Sequence, residues 1–442
     1  MSLPWGYAFH IIDTFFDAPS NPCYPHPTMD RAANQPSQTA ACIVGGGPAG
    51  MMLGFLLARD GHNVTVLEKH KDFFRDFRGD TIHPSTLDLM YELGILEAFL
   101  ALPHQQISEF VAVVGGESFP IADLTHLPTR AKFVALMPQW DFLNFLAAQA
   151  AAFPNFHLLL EHEVTGLIED HNHRVIGVHA NTPSGPVDIR ATLVIGCDGR
   201  HSTSRTAANL PVQETGVPID VLWFRLTRNE HDPSNVIGNV NYGTFAVLIN
   251  RSEYFQCAFL IAKDTFTTHI QPAGLPAFRA SIAHLIPFLG ASGSGNKARV
   301  DELTDWDQIK LLSVQVNRLT RWHRPGLLCI GDAAHAMSPV GGIGINLAIQ
   351  DAVAAARILS PVLSTGLVTE LTLARVQHRR ELPTRITQSF QVIVHRFLSR
   401  ILGNPAPIKP PLLLRLLSPH PTFRRLLARL IGVGVRPEHI HP

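Results

Sequence analysis

The run 40–68, AACIVGGGPAGMMLGFLLARDGHNVTVLE, restricts what this chain can become more than any other stretch. Three apolar residues (Cys42, Ile43, Val44) enter the turn Gly45-Gly46-Gly47-Pro48-Ala49-Gly50, and a helix-type segment follows to about Arg59. Asp60-Gly61 breaks that segment, and a second apolar run ends at Glu68. Strand, glycine turn, helix and strand in this order form the framework of a dinucleotide site. Gly45 permits the tight turn, Gly47 lets a pyrophosphate approach the backbone, and Gly50 lets the helix pack against the strand. The helix start offers free N–H groups and a positive dipole end to the phosphates. Glu68, 18 residues after Gly50, can accept hydrogen bonds from a ribose diol. A carboxylate there repels a 2′-phosphate, so the resident nucleotide is FAD or NAD rather than NADP.

The rest of the composition fits a globular protein with a sizeable core: 442 residues, 46% hydrophobic and 16% charged. Basic and acidic residues balance at 36 each, so no global field points to nucleic acid. The balance is local, however. Residues 383–437 carry nine Lys or Arg and no Asp or Glu, leaving the remainder acidic by nine. The five cysteines are far apart and form no CxxC, so neither a metal site nor a disulfide framework is indicated, and a reducing cytoplasm is expected. No apolar run reaches the roughly 18 residues of a membrane span.

Residues 1–39 show no sustained period and no basic region leading into an apolar stretch, so they read as a poorly ordered extension without a secretory signal. Met29 lies where a nucleotide-binding protein of this type would begin, which makes residues 1–28 an added segment or the product of an upstream start. Nucleotide-binding parts are expected at 40–108, 136–212 and 304–360. Strands of a second, substrate-binding domain are expected at 109–135 and 213–303, with a helical region at 361–442. Within these, Ser85 is expected to cap a helix to Leu93, and 139–152 reads as a helix. The pieces 110–114, 133–136, 157–160 and 174–179 read as strands. Alternating runs over 220–261 predict a largely antiparallel sheet. Ser292-Gly293-Ser294-Gly295 marks a loop. Beyond Leu382 the pattern predicts basic amphipathic helices broken at 405–411.

Two further strands end in aspartate. Leu193, Val194 and Ile195 lead into Gly196-Cys197-Asp198-Gly199, and 327–330 leads into Gly331-Asp332. Ligands of open parallel sheets sit outside the carboxyl ends of the strands, so both carboxylates can face the crevice of the glycine turn and accept from ribityl or ribose hydroxyls. Either alone would read as a turn residue. Pro339, Gly341, Gly342 and Gly344 then precede an alanine-rich helix over 345–359. They admit a flat ring, and the positive helix start suits an anion forming on it. A reduced isoalloxazine is such an anion, whereas a nicotinamide gains no negative charge, which selects FAD as the bound cofactor. No second GxGxxG follows a strand, so a nicotinamide donor visits only transiently.

The chain resembles the class A flavoprotein monooxygenases, the p-hydroxybenzoate hydroxylase-like family. The matching motifs are Gly45-x-Gly47-x-x-Gly50 with Glu68, Asp198-Gly199-x-x-Ser202-x-x-Arg205, and Gly331-Asp332-Ala333-Ala334-His335 through Pro339, with Gly344 and Asn346 at the flavin helix. The resemblance implies an α/β fold: a Rossmann-like FAD-binding domain with an interleaved, largely antiparallel β substrate domain and a C-terminal helical tail. It also implies FAD contacts from these residues, from Lys69 beside Glu68, from Arg78 near the pyrophosphate and from Gln139 near the ribityl–phosphate region. Asp198 and Arg205 belong to a motif tied in the family to both FAD and NAD(P)H, and Pro339 lies beside the ring in relatives. The implied cycle reduces FAD with NAD(P)H, adds O₂ to give a flavin hydroperoxide, and passes its distal oxygen to an electron-rich carbon, usually of a phenol.

Substrate contacts are expected from the second sheet, where Trp223, Arg225, Tyr242 and Tyr254 are available, with Phe224 and Phe255; core packing is the ordinary role of such residues. No catalytic base is identified, and His83 fits either a place near the flavin or a turn before a helix. Reductases of isoprenoid double bonds and flavin halogenases share the fold, but the aromatic-rich substrate motif ending in Phe-Pro of the first and the Trp-x-Trp-x-Ile-Pro signature of the second are absent. A flavin-binding protein without turnover is the non-enzymatic alternative. The expected partners are a small molecule and O₂, without nucleic acid. The tail is expected to cover the flavin domain or a homodimer interface, with at most weak, salt-sensitive membrane attachment, because prolines cut it into pieces too short to bind strongly alone.

Overall fold

The computed structural model describes residues 38–74, 81–233, 237–291, 298–404 and 406–440. Arg78, the 292–295 loop and the 1–28 segment lie outside them.

The first strand, Gln38–Val44, starts two residues earlier than expected and occupies the middle of an eight-stranded sheet. Val64–Leu67 and Gly185–Gly196 pair parallel to it on either side, and Leu327–Cys329 runs parallel beyond Gly185–Gly196. The register aligns Val44 with Gly196 and Gly196 with Cys329. The glycine turn, the Asp198 turn and the Asp332 turn therefore leave the sheet side by side. The Pro48–Arg59 helix has no polar face, since every residue from Ala49 to Ala58 is buried. It is enclosed by the sheet and by the helices Gly344–Leu363 and Gln139–Ala150, as a helix apolar all round requires. Stretch 340–363 is long and apolar enough to cross a membrane, yet its apolar part is mostly buried inside the fold.

The second sheet has seven strands in the order Lys310–Leu312, Ile219–Thr227, Tyr254–Ala262, Thr244–Asn250, Ile237–Asn241, Glu109–Val114, Glu117–Asp123. Only the pairing of Ile237–Asn241 with Glu109–Val114 is parallel. One face (Leu222, Phe224, Leu226, Phe255, Phe259) packs under the Leu275–Leu285 helix. On the other face, Val221, Ala258 and Leu260 meet Leu398, while Trp223 and Ile249 join a cluster with Ala428.

Four expectations are corrected. His83 caps the Pro84–Glu92 helix and Pro84 is its first residue, so Ser85 lies inside; proline's fixed φ suits the first turn. The strand Glu117–Asp123 went unread because acids and Pro120 interrupt its alternation, and Val134–Leu136 belongs to a separate three-stranded sheet. Lys310–Leu312 joins the second sheet rather than the nucleotide-binding part. Finally, Glu370–Ile401 is one 32-residue helix that runs through Pro383, capped at Thr369. After it the chain crosses the tip of the hairpin 237–250, where Gly403 N donates to Gly243 O at 2.9 Å and Ile408 N to Asn241 Oδ1 at 3.0 Å, and Ile408 O lies against Gly115 at the tip of the neighbouring hairpin. A short helix, Leu412–Leu417, follows, and Pro421–Gly432 then packs along Glu117–Asp123.

Candidate active site

Two of the fingerprint glycines are demanded by the protein itself. Gly45 sits at φ +104°, and a Cβ on it would lie 2.5 Å from Cys197 O. A Cβ on Gly50 would lie 2.0 Å from Gly45 O. Gly47 differs: a Cβ there would meet nothing within 4 Å. It caps the Pro48–Arg59 helix without a side-chain bond, so the N–H groups of the first turn face open space. The fold itself therefore leaves room at this turn. Glu68 is buried with its carboxylate fixed, Oε2 accepting from Gly46 N at 3.0 Å and Oε1 from His70 N at 3.1 Å. Lys69 beside it is exposed, and Gln139 is the first residue of its helix, half-buried.

The two aspartates divide in role. Asp198 accepts from Ser202 Oγ at 2.5 Å and from Ser204 N at 2.9 Å, so its carboxylate holds its own loop. Arg205 donates to Ala333 O at 3.5 Å and to Arg200 O, tying the Asp198 turn to the Asp332 turn. Asp332 keeps a third of its side chain exposed, with Arg200 at 3.9 Å.

At the flavin-helix end, Gly341 and Gly342 have φ of +80° and +61°, and a Cβ on Gly342 would strike Thr81 Oγ1 at 2.2 Å. Gly344 has ordinary clearance, 3.5 Å to Met337. Asn346 is buried with every amide group used. Oδ1 accepts from His83 N and Thr86 Oγ1, both at 2.8 Å, and Nδ2 donates to Thr81 O at 2.9 Å and Gly342 O at 3.1 Å. It therefore staples the glycine loop in place. His83 is buried and donates from Nδ1 to Ile431 O at 2.7 Å. Burial lowers its pKa to about 4 against the opposing pull of the Ile431 and Gly341 carbonyls, so it is neutral near pH 7. Pro339 is half-buried in a loop fixed by two residues that sequence reasoning missed. Gln391 makes three bonds to the backbone of Ser338 and Val340, and His395 Nε2 lies 2.7 Å from Ser338 Oγ.

Behind the Asp332 turn lies a buried ionic chain, also missed. His335 Nε2 and Gly331 N donate to Asp351 Oδ2 at 2.5 and 3.1 Å, and Arg380 Nε donates to Asp351 Oδ1 at 2.9 Å. Arg380 continues to Glu438 at 3.3 Å, where Arg379 (2.6 Å) and Arg357 (2.9 Å) also converge. Burial alone would raise the Asp351 pKa, but His335 and Arg380 outweigh it and hold the carboxyl below its ordinary value.

Of the substrate candidates, Trp223 lies half-buried on the sheet face that meets the C-terminal helices. Tyr254 alternates onto the same face, and the exposed Arg225 lies 5.8 Å over its ring. Tyr242 sits elsewhere, at a hairpin tip with φ +48°, its ring 4.0 Å from that of His284. Phe224 and Phe255 belong to the core of the opposite face.

The family described as FAD binding domain matches residues 38–389. The chain is 31% identical over 411 residues to the 6-methylpretetramide 4-monooxygenase of Streptomyces rimosus, covering 92% of this chain and 94% of that protein. It is 26% identical to the rifampicin monooxygenase of Streptomyces venezuelae, over 70% of this chain but only 61% of that longer protein. Among solved structures, pqsL, a probable FAD-dependent monooxygenase from Pseudomonas aeruginosa, superposes with a TM-score of 0.68 at 21% identity, covering 82% of this chain and 97% of that one. The p-nitrophenol 4-monooxygenase PnpA of Pseudomonas putida gives 0.68 at 18%, covering 89% and 94%. These two likenesses establish the fold.

Proposed function

Because the chain belongs to the FAD binding domain family and is an FAD-dependent monooxygenase, we propose that it inserts one oxygen atom of O₂ into an electron-rich, phenol-like aromatic molecule, with NAD(P)H as transient electron donor. The reading rests on one observation: three cofactor-type turns stand in a row at the carboxyl ends of adjacent strands. FAD, when bound, takes electrons from the nicotinamide and activates dioxygen. The protein supplies the rest. The helix start at Gly47 receives the pyrophosphate, Glu68 the ribose, Asp332 the ribityl chain, and Asn346 holds the loop that receives the ring. The Trp223–Tyr254 face supplies an apolar aromatic wall that excludes water from the substrate. The four described cysteines are buried and unpaired, as suits a cytoplasmic enzyme.

Oxygen uptake with NADH or NADPH should accelerate on adding a phenolic substrate, and ¹⁸O₂ label should appear in the organic product. A halogenated or reduced product, or no turnover with any phenol under air, would reject the reading. Arg205→Ala removes the tie between the Asp198 and Asp332 turns. It should slow flavin reduction by NAD(P)H more than reoxidation by O₂ in stopped-flow traces. Equal losses in both half-reactions would count against a nicotinamide-side role for this motif.

A further inference from the structure

The end of the chain combines exposed apolar side chains with bases. Leu412, Leu413 and Leu416 on the short helix are 71%, 67% and 58% exposed, Leu426 on the last helix 67%, and Ile393 and Phe397 near the end of the long helix 64% and 48%. These residues flank one end of the second sheet, because the chain between them is pinned to the tips of two neighbouring hairpins at Gly243, Asn241 and Gly115. Arg396, Arg400, Lys409 and Arg429 are exposed among them, in a stretch that holds nine bases and no acid. Arg415 pairs with Glu117; among the described residues, no carboxylate lies within ion-pair distance of those four.

We propose that this surface docks on an anionic lipid membrane. Exposed leucines and unopposed bases together are the chemistry of an interfacial helix on acidic headgroups. A second copy fits poorly. A two-fold interface would bring this base-rich surface against itself, with like charges facing across the axis. Nucleic acid would engage the bases but leave the leucines in water. The short helices expected to bind weakly alone are already ordered by the fold, so docking need not nucleate them. Attachment is then stronger than such fragments would show in isolation.

The test is co-sedimentation of the full-length, FAD-loaded protein with phosphatidylglycerol–phosphatidylcholine vesicles and with phosphatidylcholine vesicles. Binding should favour the anionic vesicles and weaken as salt is raised. Arg396→Gln, Arg400→Gln and Lys409→Gln together should weaken it by about a hundredfold. Leu412→Asn with Leu413→Asn should weaken it by about tenfold or more. Both variants change exposed side chains, so flavin content and melting temperature should stay at wild-type values. Three outcomes would overturn the proposal: no sedimentation with anionic vesicles, equal binding by wild type and both variants, or a solution dimer that the leucine variant dissociates.

Discussion

Arg380→Met should destabilise the protein by about 3–5 kcal/mol and lower its FAD content. The side chain is 1% exposed and stands between two carboxylates, Asp351 and Glu438, whose side chains are fully buried. Methionine keeps much of the volume and removes the charge, so both acids lose a partner without gaining water. The loss reaches the cofactor site because Asp351 also holds Gly331 N, the residue before Asp332. Urea denaturation read by far-ultraviolet circular dichroism measures the stability, and flavin absorbance per chain measures occupancy. Wild-type values for both would remove the ionic chain from any supporting role. Acid should act similarly. The Asp351 carboxyl titrates below its ordinary value of 3.8 in the folded protein, so its stabilising contribution is complete above that pH. It is lost as pH falls through the lower folded value.

The second large effect separates ligand from fold within the glycine turn. Gly50→Ala places a methyl 2.0 Å from Gly45 O, a backbone atom that cannot move away cheaply. It should destabilise the apoprotein by several kcal/mol, on the order of a severe packing clash, and yield little soluble flavoprotein. Gly47→Ala meets no protein atom within 4 Å, so the apoprotein should keep its melting temperature. Its methyl would enter the space assigned to the pyrophosphate, and FAD affinity should fall by about tenfold or more. Titration of apoprotein with FAD, followed by flavin fluorescence, distinguishes the two. If Gly47→Ala binds FAD like wild type, the phosphate does not approach the backbone there.

The motif residues were legible because their neighbours are local. Gly45 turns off its own strand, Asp198 closes a loop with Ser202 and Ser204, and Gly342 sits four residues from Asn346. What supports them was not legible. Asn346 reaches His83 across 263 residues, and Asp351 finds Arg380 only because two helices pack side by side. Neither leaves a spacing in the sequence, since tertiary packing alone sets those pairs. The helix expected only beyond Leu382 in fact begins at Glu370 and runs through Pro383, for a related reason. The long helix is held by buried side chains on both sides of the proline, Val376, Arg380, Thr384, Gln388 and Gln391, and these offset one missing hydrogen bond. The second sheet showed its alternation but not its ligand face. Which of Trp223 and Phe224 turns toward the C-terminal helices depends on what covers each side, and alternation leaves that open.

The bond from His83 to Ile431 and the insertion of Glu438 among three arginines also order events during synthesis. The glycine turn leaves the ribosome nearly four hundred residues before the segment that completes the flavin loop's support. A nascent chain can form the first strand, turn and helix early, but His83 and Arg380 lack these partners until residues 431–438 have emerged. Stable FAD capture should therefore come late, and ribosome-bound chains stopped before Ile431 should be recovered without flavin.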